Sequence, residues 1–401
     1  MKVKYLILGA GPTGLSVANY LLNNGEKDLL LLEAEGEVGG LCRSKDIDGA
    51  PLDIGGGHFL DVRRPEVCEF LFGFMPRDEW DSYERDSRIR FKTFELHHPF
   101  EANIWELPED EQQKFLDSIS EAGCNTGAKK PEKFIDWITW KLGDKIAEEY
   151  MLPYNRKMFG DNLNDLGIYW LDKLPDVSYE ETLESCRQKK AFGKQPGHAQ
   201  FFYPKKYGYG EIWLRMGDAL GNALKTSEKV KELNLTDRSV RLGDGTQIEA
   251  EFIITTIPWS SIELKNAPQE VADAAKSLRH TSIEVTYHEE DMDTDAQWIY
   301  FPDEDKDYHR ILVRKNFFPG AKGYWTETRS ERYRQAQGSI NFTSEYAYPI
   351  NTLDKPNQIG CILRFAKENG VYGVGRWGEH THYNSDASVQ LAMNLAKELL
   401  S

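Results

Sequence analysis

No apolar run in this 401-residue chain approaches the roughly 18–20 residues that a membrane-spanning helix needs. Lys2 and Lys4 precede apolar residues at the N-terminus, but Gly9, Gly11, Pro12 and Gly14 interrupt the run, which argues against a secretory leader. A basic surplus is missing too, since the net charge is −16. Nucleic acid is therefore not an expected partner, although one local basic cleft for phosphates is compatible with that balance. Cysteine is scarce: Cys42, Cys68, Cys124, Cys186 and Cys361 are scattered, odd in number and without a CxxC pair. That usage fits reduced thiols in a cytoplasmic protein and speaks against a disulfide scaffold or a zinc site. Internal repeats and low-complexity linkers are also missing. What is present, 40% hydrophobic and 28% charged residues, is the composition of a globular protein long enough for two domains, or for one large domain with insertions.

The informative stretch comes first. Residues 3–9 read as an apolar strand, followed by Gly9-x-Gly11-x-x-Gly14 and a helix with Leu15, Val17, Ala18, Leu21 and Leu22 on one face. Residues 28–33 read as a second apolar strand ending on Glu33, 19 residues beyond Gly14. Glycines at that spacing let backbone N–H groups approach a pyrophosphate at a helix N-terminus, and an acid ending the second strand can accept ribose hydroxyls. An ordinary βαβ unit with a glycine turn would not explain Glu33. Two further glycine-rich stretches, 37–44 with Arg43 and 52–59 with Gly56, Gly57 and His58, extend the pattern. Such an extension suits FAD, whose ribityl chain and isoalloxazine need backbone close against them. Arg43 can face the pyrophosphate or the flavin edge, or be a surface charge; His58 can face the flavin or be a core histidine.

Further along, residues 85–91 read as a strand and 97–104 as a turn into a loop. The adjacent His97 and His98 lack a third ligand at a usable spacing, so no metal site is expected. Segment 107–150 reads as helical, with Pro131 in a first turn and Phe134, Ile138, Leu142, Ile146 and Tyr150 as a core stripe. A loop at 203–213 enters a helix. Lys229–Leu233 reads as a strand, Gly243–Gly245 as a hairpin turn and Phe252–Pro258 as a buried strand. Segments 282–287, 297–302, 309–316 and 338–343 are β-rich. A last helix carries Val389, Ala392, Leu395, Ala396 and Leu399 on one face, with Asn384, Ser385 or Asp386 to cap it.

These residues carry a resemblance to the FAD-dependent UDP-galactopyranose mutases, within the wider amine-oxidase-like flavoprotein superfamily. The N-terminal patch alone, Gly9 to Gly14, Glu33, Gly39-Gly40-Leu41 and Arg43, resembles only the superfamily. Gly56-Gly57-His58 is similar to the mutase loop whose histidine sits beside the flavin. Leu152–Phe159 resembles the segment that holds the uridine end, which implies contacts from Asn155 and Phe159. Trp298-Ile299-Tyr300-Phe301-Pro302 with His309-Arg310 resembles the eukaryotic-type segment, and Tyr346-Ala347-Tyr348-Pro349 a later tyrosine; the likeness gives Tyr300, Arg310 and Tyr348 to a substrate diphosphate. Gly375 and Arg376 match the family's glycine-arginine flavin motif, with Asn384 and Asp386 at its polar positions. The sequence departs at His380 and His382, where aromatics are usual, and at Phe317, where a substrate tyrosine is expected. An arginine expected after residue 159 is absent, and Lys173 is the nearest cation.

The resemblance implies an α/β fold: a Rossmann-like FAD-binding domain of amine-oxidase type, a helical insertion and an antiparallel β-sheet substrate domain. Expected boundaries are 1–90, 196–270 and 360–401 for a discontinuous FAD domain, 91–195 for the insertion and 271–359 for the substrate sheet. Implied cofactor contacts are Gly9, Gly11, Pro12, Thr13, Gly14, Glu33, Ala34, Gly40, Leu41, Arg43, Gly56, Gly57, His58, Val230, Gly375, Arg376, Asn384, Asp386, Ala387 and Ser388. Implied substrate contacts are Asn155, Phe159, Trp298, Tyr300, Arg310, Tyr348 and His382, with His58 and Arg310 catalytic. The implied reaction interconverts UDP-galactopyranose and UDP-galactofuranose, or a related nucleotide-diphosphate sugar, in glycan-precursor synthesis. It runs without net redox change through an adduct on reduced-flavin N5, with NADPH or NADH as external reductant, so no Ser, Cys or carboxylate dyad is required. An amine oxidase or desaturase of the same superfamily, and a flavin-binding scaffold without catalysis, stay open as alternatives, as does a homo-oligomer.

Overall fold

Tyr5, Leu6, Ile7 and Leu8 are fully buried in the strand Lys2–Leu8, the centre of a sheet covered on both faces. In this computed structural model, which describes residues 1–171, 177–192, 199–335 and 338–401, that strand pairs in parallel with Leu29–Leu32 and with Gln247–Thr255. The sheet runs Leu224–Lys225, Leu29–Leu32, Lys2–Leu8, Gln247–Thr255, Ser239–Leu242, Val230–Asn234 and Glu263–Lys265, with Val371–Gly373 also on Gln247–Thr255. Continuous apolar strands are what a parallel sheet buried on both faces demands. The buried strand expected at Phe252–Pro258 starts earlier, just after the hairpin turn, and runs as Gln247–Thr255. The helix Pro12–Asn23 packs on one face against Glu211–Leu220 and Ser385–Leu400. There the buried Asn19 donates to the carbonyls of Leu15 and Met216, each at 2.9 Å.

The second sheet has seven strands in the order Ile340–Pro349, His280–His288, Tyr324–Arg329, Arg310–Val313, Trp298–Tyr300, Ser87–Phe91 and Phe94–His97. All neighbours are antiparallel except Trp298–Tyr300 with Ser87–Phe91. Ser87–Phe91 straddles the boundary expected at residue 90 and belongs by pairing to this sheet. The expected boundary at 195/196 lies outside the described residues. Arg314, 1% exposed, anchors the sheet to the hairpin Ser44–Asp53 by donating to the carbonyls of Ile47, Ala50 and Pro51.

The insertion is helical at Glu109–Glu121, Gly123–Thr126, Phe134–Leu142, Asp144–Ile146 and Leu152–Phe159. Pro131 stands three residues before the helix it was expected to start, which has Lys133 at its N-cap. Gly143 (φ 79°) breaks the helix, yet Phe134, Ile138, Leu142, Ile146 and Tyr150 are all buried. A π-helical turn at Ala147–Met151 carries the stripe on to Leu152.

Candidate active site

The turn between Leu8 and Pro12 opens a cavity of about 640 Å³, a size usual for small-molecule and cofactor sites. Gly9, Gly11, Pro12, Thr13, Glu33, Ala34, Gly40, Leu41, Arg43, His58, Val230, Arg376 and Ser388 line it, all expected from the sequence. Gly11 is the N-cap of Pro12–Asn23 and caps with no side chain, so the helix's first N–H groups face the cavity with their partial positive charge. A Cβ on Gly11 would meet nothing within 4 Å: the room beside the backbone belongs to a ligand. Glu33 is fixed at the rim, accepting from the N–H groups of Ala10 (2.7 Å) and Glu35 (2.9 Å). Open helix N–H groups, an oriented carboxylate and clear backbone fit the pyrophosphate and ribose of a dinucleotide. Cys42 also lines the wall, and burial pushes its thiol pKa up, so it stays protonated and inert.

The other expected cofactor residues stand one layer back. A Cβ on Gly14 would lie 1.9 Å from the Gly9 carbonyl oxygen, and one on Gly375 (φ 78°) 2.3 Å from Thr13 Oγ1. These glycines bring backbones together and do not face the cavity. Gly57 packs on Leu312, where a Cβ would come within 1.9 Å. Asn384 holds the N-cap of Ser385–Leu400, and Ala387 follows in its first turn. Asp386, 1% exposed, pairs with Arg64.

The expected catalytic pair comes together, with His58 on the cavity wall and Arg310 near enough for its charge to act on the imidazole. Arg310 Nε donates to Glu327 Oε2 (2.8 Å) and Arg310 Nη2 to the Tyr348 hydroxyl (3.2 Å). Glu327 is completely buried, and its Oε1 accepts the Gly57 N–H at 3.1 Å. Gly56 (φ 96°) lies against the same carboxylate, 3.0 Å from Oε1 for a Cβ placed there. His58 Nδ1 is 2.8 Å from the Gly56 carbonyl, so that nitrogen carries the donated proton and Nε2 is left as acceptor. Burial, then the positive charges of Arg376 and Arg310, push the His58 pKa down to about 3. The ring is therefore neutral at physiological pH, suited to accept a hydrogen bond and unsuited to act as a general acid. Arg376 donates to the carbonyls of Tyr383 and Ala347.

Tyr300 faces the same side as its cross-strand partner Arg310, and its hydroxyl accepts from Arg85 Nη2 at 2.9 Å. Tyr154, on Leu152–Phe159, packs edge-on to Tyr300 with centroids 5.8 Å apart. This brings the helix expected at the uridine end beside the Arg310 cluster. Lys157, fully buried, pins that helix to the sheet by donating to the carbonyls of Phe301 (2.8 Å) and Tyr308 (3.0 Å). Asn155 is buried and donates to Met151 within its own helix, while Phe159 packs on Trp170. His382 is exposed, its ring 5.1 Å from that of Tyr348. His98 packs beside Tyr300 and His97 pairs with Glu106. Lys173 lies outside the described residues.

Packing accounts for two aromatic positions. Trp298, 1% exposed, is a core residue among Phe59, Phe201 and Phe317. Phe317 is equally internal, so the departure there changes the core and not a ligand contact. His380 is buried too, with Nε2 on the Arg279 carbonyl at 2.9 Å.

Glu327 is the principal residue that the sequence reading missed. It sits on the strand Tyr324–Arg329, which none of the β-rich segments included. The strand formers Tyr324, Trp325, Thr326 and Thr328 around it are the signal that could have revealed it. The cavity also takes a wall from Thr343, Ser344, Glu345 and Tyr346, the last of the substrate-sheet strands.

With that geometry in place, comparison with known proteins gives a consistent answer. Residues 12–289 match the family model described as flavin containing amine oxidoreductase. A carotenoid 3,4-desaturase of Haloarcula japonica is 25% identical over 280 residues, covering 63% of this chain and 53% of that protein. A putrescine oxidase of Kocuria rosea is 26% identical over 129 residues, covering 31% and 26%. The chain thus spans about half of the first relative and a smaller share of the second. A solved structure of reduced UDP-galactopyranose mutase superposes with a TM-score of 0.87 at 21% identity, covering 99% of this chain and 95% of that one. The two share a fold, and the glycine turn, the Glu33 rim and the matched residues together make this chain a member of the flavin-containing amine oxidoreductase family.

Proposed function

We propose that the protein is a flavin-dependent nucleotide-sugar mutase that interconverts the pyranose and furanose forms of UDP-galactose or a closely related nucleotide-diphosphate sugar. The observation that carries this reading is Arg310, held by Glu327 and Tyr348 and close enough to the cavity-lining His58 for its charge to act on that ring. Its Nη1 stays uncommitted among the described residues. Such a preorganised cation suits an anionic group that gains charge as a glycosidic bond breaks. The fold shared with a reduced UDP-galactopyranose mutase supports the same reading.

FAD is the proposed cofactor, with Gly11 and Thr13 at the pyrophosphate, Glu33 at the ribose, Val230 near the adenosine end, and His58 and Arg376 at the ring end. Reduced flavin, when bound, would supply a nucleophilic nitrogen to the anomeric carbon. The chain's own task is to hold the departing diphosphate. Arg310 provides charge, the Tyr300 and Tyr348 hydroxyls provide hydrogen bonds, and the helix carrying Asn155 and Phe159 holds the nucleoside. NADPH or NADH is the proposed reductant.

An oxidase or desaturase is the competing reading, favoured by the activities named for the two curated relatives. The purified protein separates them. Dithionite-reduced enzyme given UDP-galactopyranose or UDP-galactofuranose is expected to convert each into the other. Peroxide formed from an amine, with no ring interconversion, would transfer the protein to the oxidases.

A further inference from the structure

The sheet that presents Arg310 has a second face, and that face is polar. Thr326 and Thr328 flank Glu327 on Tyr324–Arg329, so their side chains stand on the side away from it. Thr286, across the rung from Thr326, shares that side. With His288 these threonines line a separate cavity of about 520 Å³. None of its lining residues belongs to the dinucleotide cavity.

The groups in it say what would fill it. Thr286, Thr326 and Thr328 are all buried, and the Thr286 hydroxyl has no hydrogen-bond partner among the described residues. A dry, unpaired hydroxyl carries a desolvation cost that a ligand's polar group would offset. His288 Nε2 lies 3.1 Å from the Thr326 hydroxyl, and its ring is held flat on Tyr324, with centroids 4.7 Å apart and planes 11° apart. Burial lowers the His288 pKa, with Glu290 opposing, so the imidazole is uncharged near neutral pH and can donate from one nitrogen and accept at the other. Tyr308 and Tyr333 add aromatic walls. At the mouth, Glu289, Glu290, Asp305 and Asp307 outnumber Lys306 and Arg334, a balance that repels phosphates and carboxylates. Hydroxyls and a neutral imidazole, each able to donate and accept, beside tyrosine rings with an apolar face, complement an uncharged molecule rich in hydroxyls.

We propose that this cavity binds a neutral saccharide on the back of the sheet whose front carries Arg310. The site is separate from the proposed nucleotide-sugar site and does not depend on which reaction the flavin serves.

Saturation-transfer NMR on the holoenzyme reads the site directly, with D-galactose, D-glucose, D-mannose and lactose as probes and glycerol as control. At least one sugar is expected to bind more tightly than glycerol, and equally well in Arg310→Ala. Thr286→Val and Thr328→Val should each weaken that sugar roughly three- to tenfold, the range of one hydrogen bond. His288→Phe, which keeps the stack on Tyr324, should weaken it further. Thr286→Val removes an unpartnered hydroxyl and should melt at or above the wild-type temperature, so its loss of binding is not a loss of fold. Lactose bound as tightly as the monosaccharide would assign the site to the end of a glycan, and exclusion of lactose would assign it to a free sugar. No sugar bound more tightly than glycerol, or an affinity unchanged in all three cavity variants, would overturn the proposal.

Discussion

Arg310 and Glu327 face each other across one rung of an antiparallel strand pair, and the free oxygen of Glu327 accepts the Gly57 N–H at 3.1 Å. One buried carboxylate thus fixes two parts of the site, the cation on the sheet and the glycine loop that carries His58. The sheet cannot shift against the loop without breaking a charged contact in a dry environment.

Removing that carboxylate should be felt in both stability and activity. Glu327→Ala leaves Arg310 without its counter-charge, and denaturant unfolding is expected to show a loss of about 3–5 kcal/mol. Glu327→Gln keeps an acceptor for Gly57 and should cost less stability while lowering kcat/KM. Arg310→Ala is expected to cost about 2–4 kcal/mol of transition-state stabilisation. Near wild-type turnover in Arg310→Ala would remove it from the site.

The last two glycines of the turn, Gly11 and Gly14, should behave differently. Gly11→Ala meets no protein atom within 4 Å and has an ordinary φ of −77°, so the chain should fold with nearly wild-type melting but bind little flavin. Gly14→Ala drives a methyl into the Gly9 carbonyl, 1.9 Å away, and should lower the melting temperature itself. Flavin content per folded protein, read beside thermal unfolding, distinguishes the two effects. Full flavin occupancy in Gly11→Ala would contradict the proposed phosphate position.

Acid should destabilise the fold from below neutrality. His58 and His98 are each pushed down to about 3, chiefly by burial, against about 6.5 in an unfolded chain. Between those values the unfolded chain binds more protons, so stability is intact above about pH 6.5 and falls as pH drops towards 3. Asp53 opposes this: burial raises its pKa to about 6, so its contribution is present below its unfolded value and lost as pH rises through 6. Urea midpoints across this range should fall with acidification, and His98→Asn should flatten the slope. An activity profile with an inflection near 6.5 that vanishes in His58→Asn would contradict a neutral His58.

Lys157 should matter more than a surface lysine. Lys157→Met leaves the Phe301 and Tyr308 carbonyls without their donor, at about 1–3 kcal/mol for each buried group. Because it tethers Leu152–Phe159 to the sheet, the variant should also raise KM for the nucleotide sugar more than it lowers kcat.

Local signals made much of the site legible. The glycine turn, the helix behind it and Glu33 are one continuous stretch whose spacing is itself the geometry, and the cavity forms where that spacing says. Arg310, Tyr300 and Tyr348 came from short patches, and the sheet register brings them together. What escaped depends on pairing between distant segments. Nothing near Ser87 announces that it will lie beside Trp298. Glu327 takes its role from the rung opposite Arg310. Trp298 looks like a ligand contact in sequence because aromatic residues serve cores and sites alike, and only packing tells them apart.

The central claim is that the flavin takes part without net redox change. Its most direct test follows the absorbance of the flavin during anaerobic turnover of dithionite-reduced enzyme with UDP-galactofuranose, alongside an oxidised control. The account predicts many turnovers to the pyranose form with the flavin reduced throughout, and none in the oxidised control. Flavin that is reoxidised in proportion to substrate consumed, or ring interconversion by the oxidised enzyme, would contradict it.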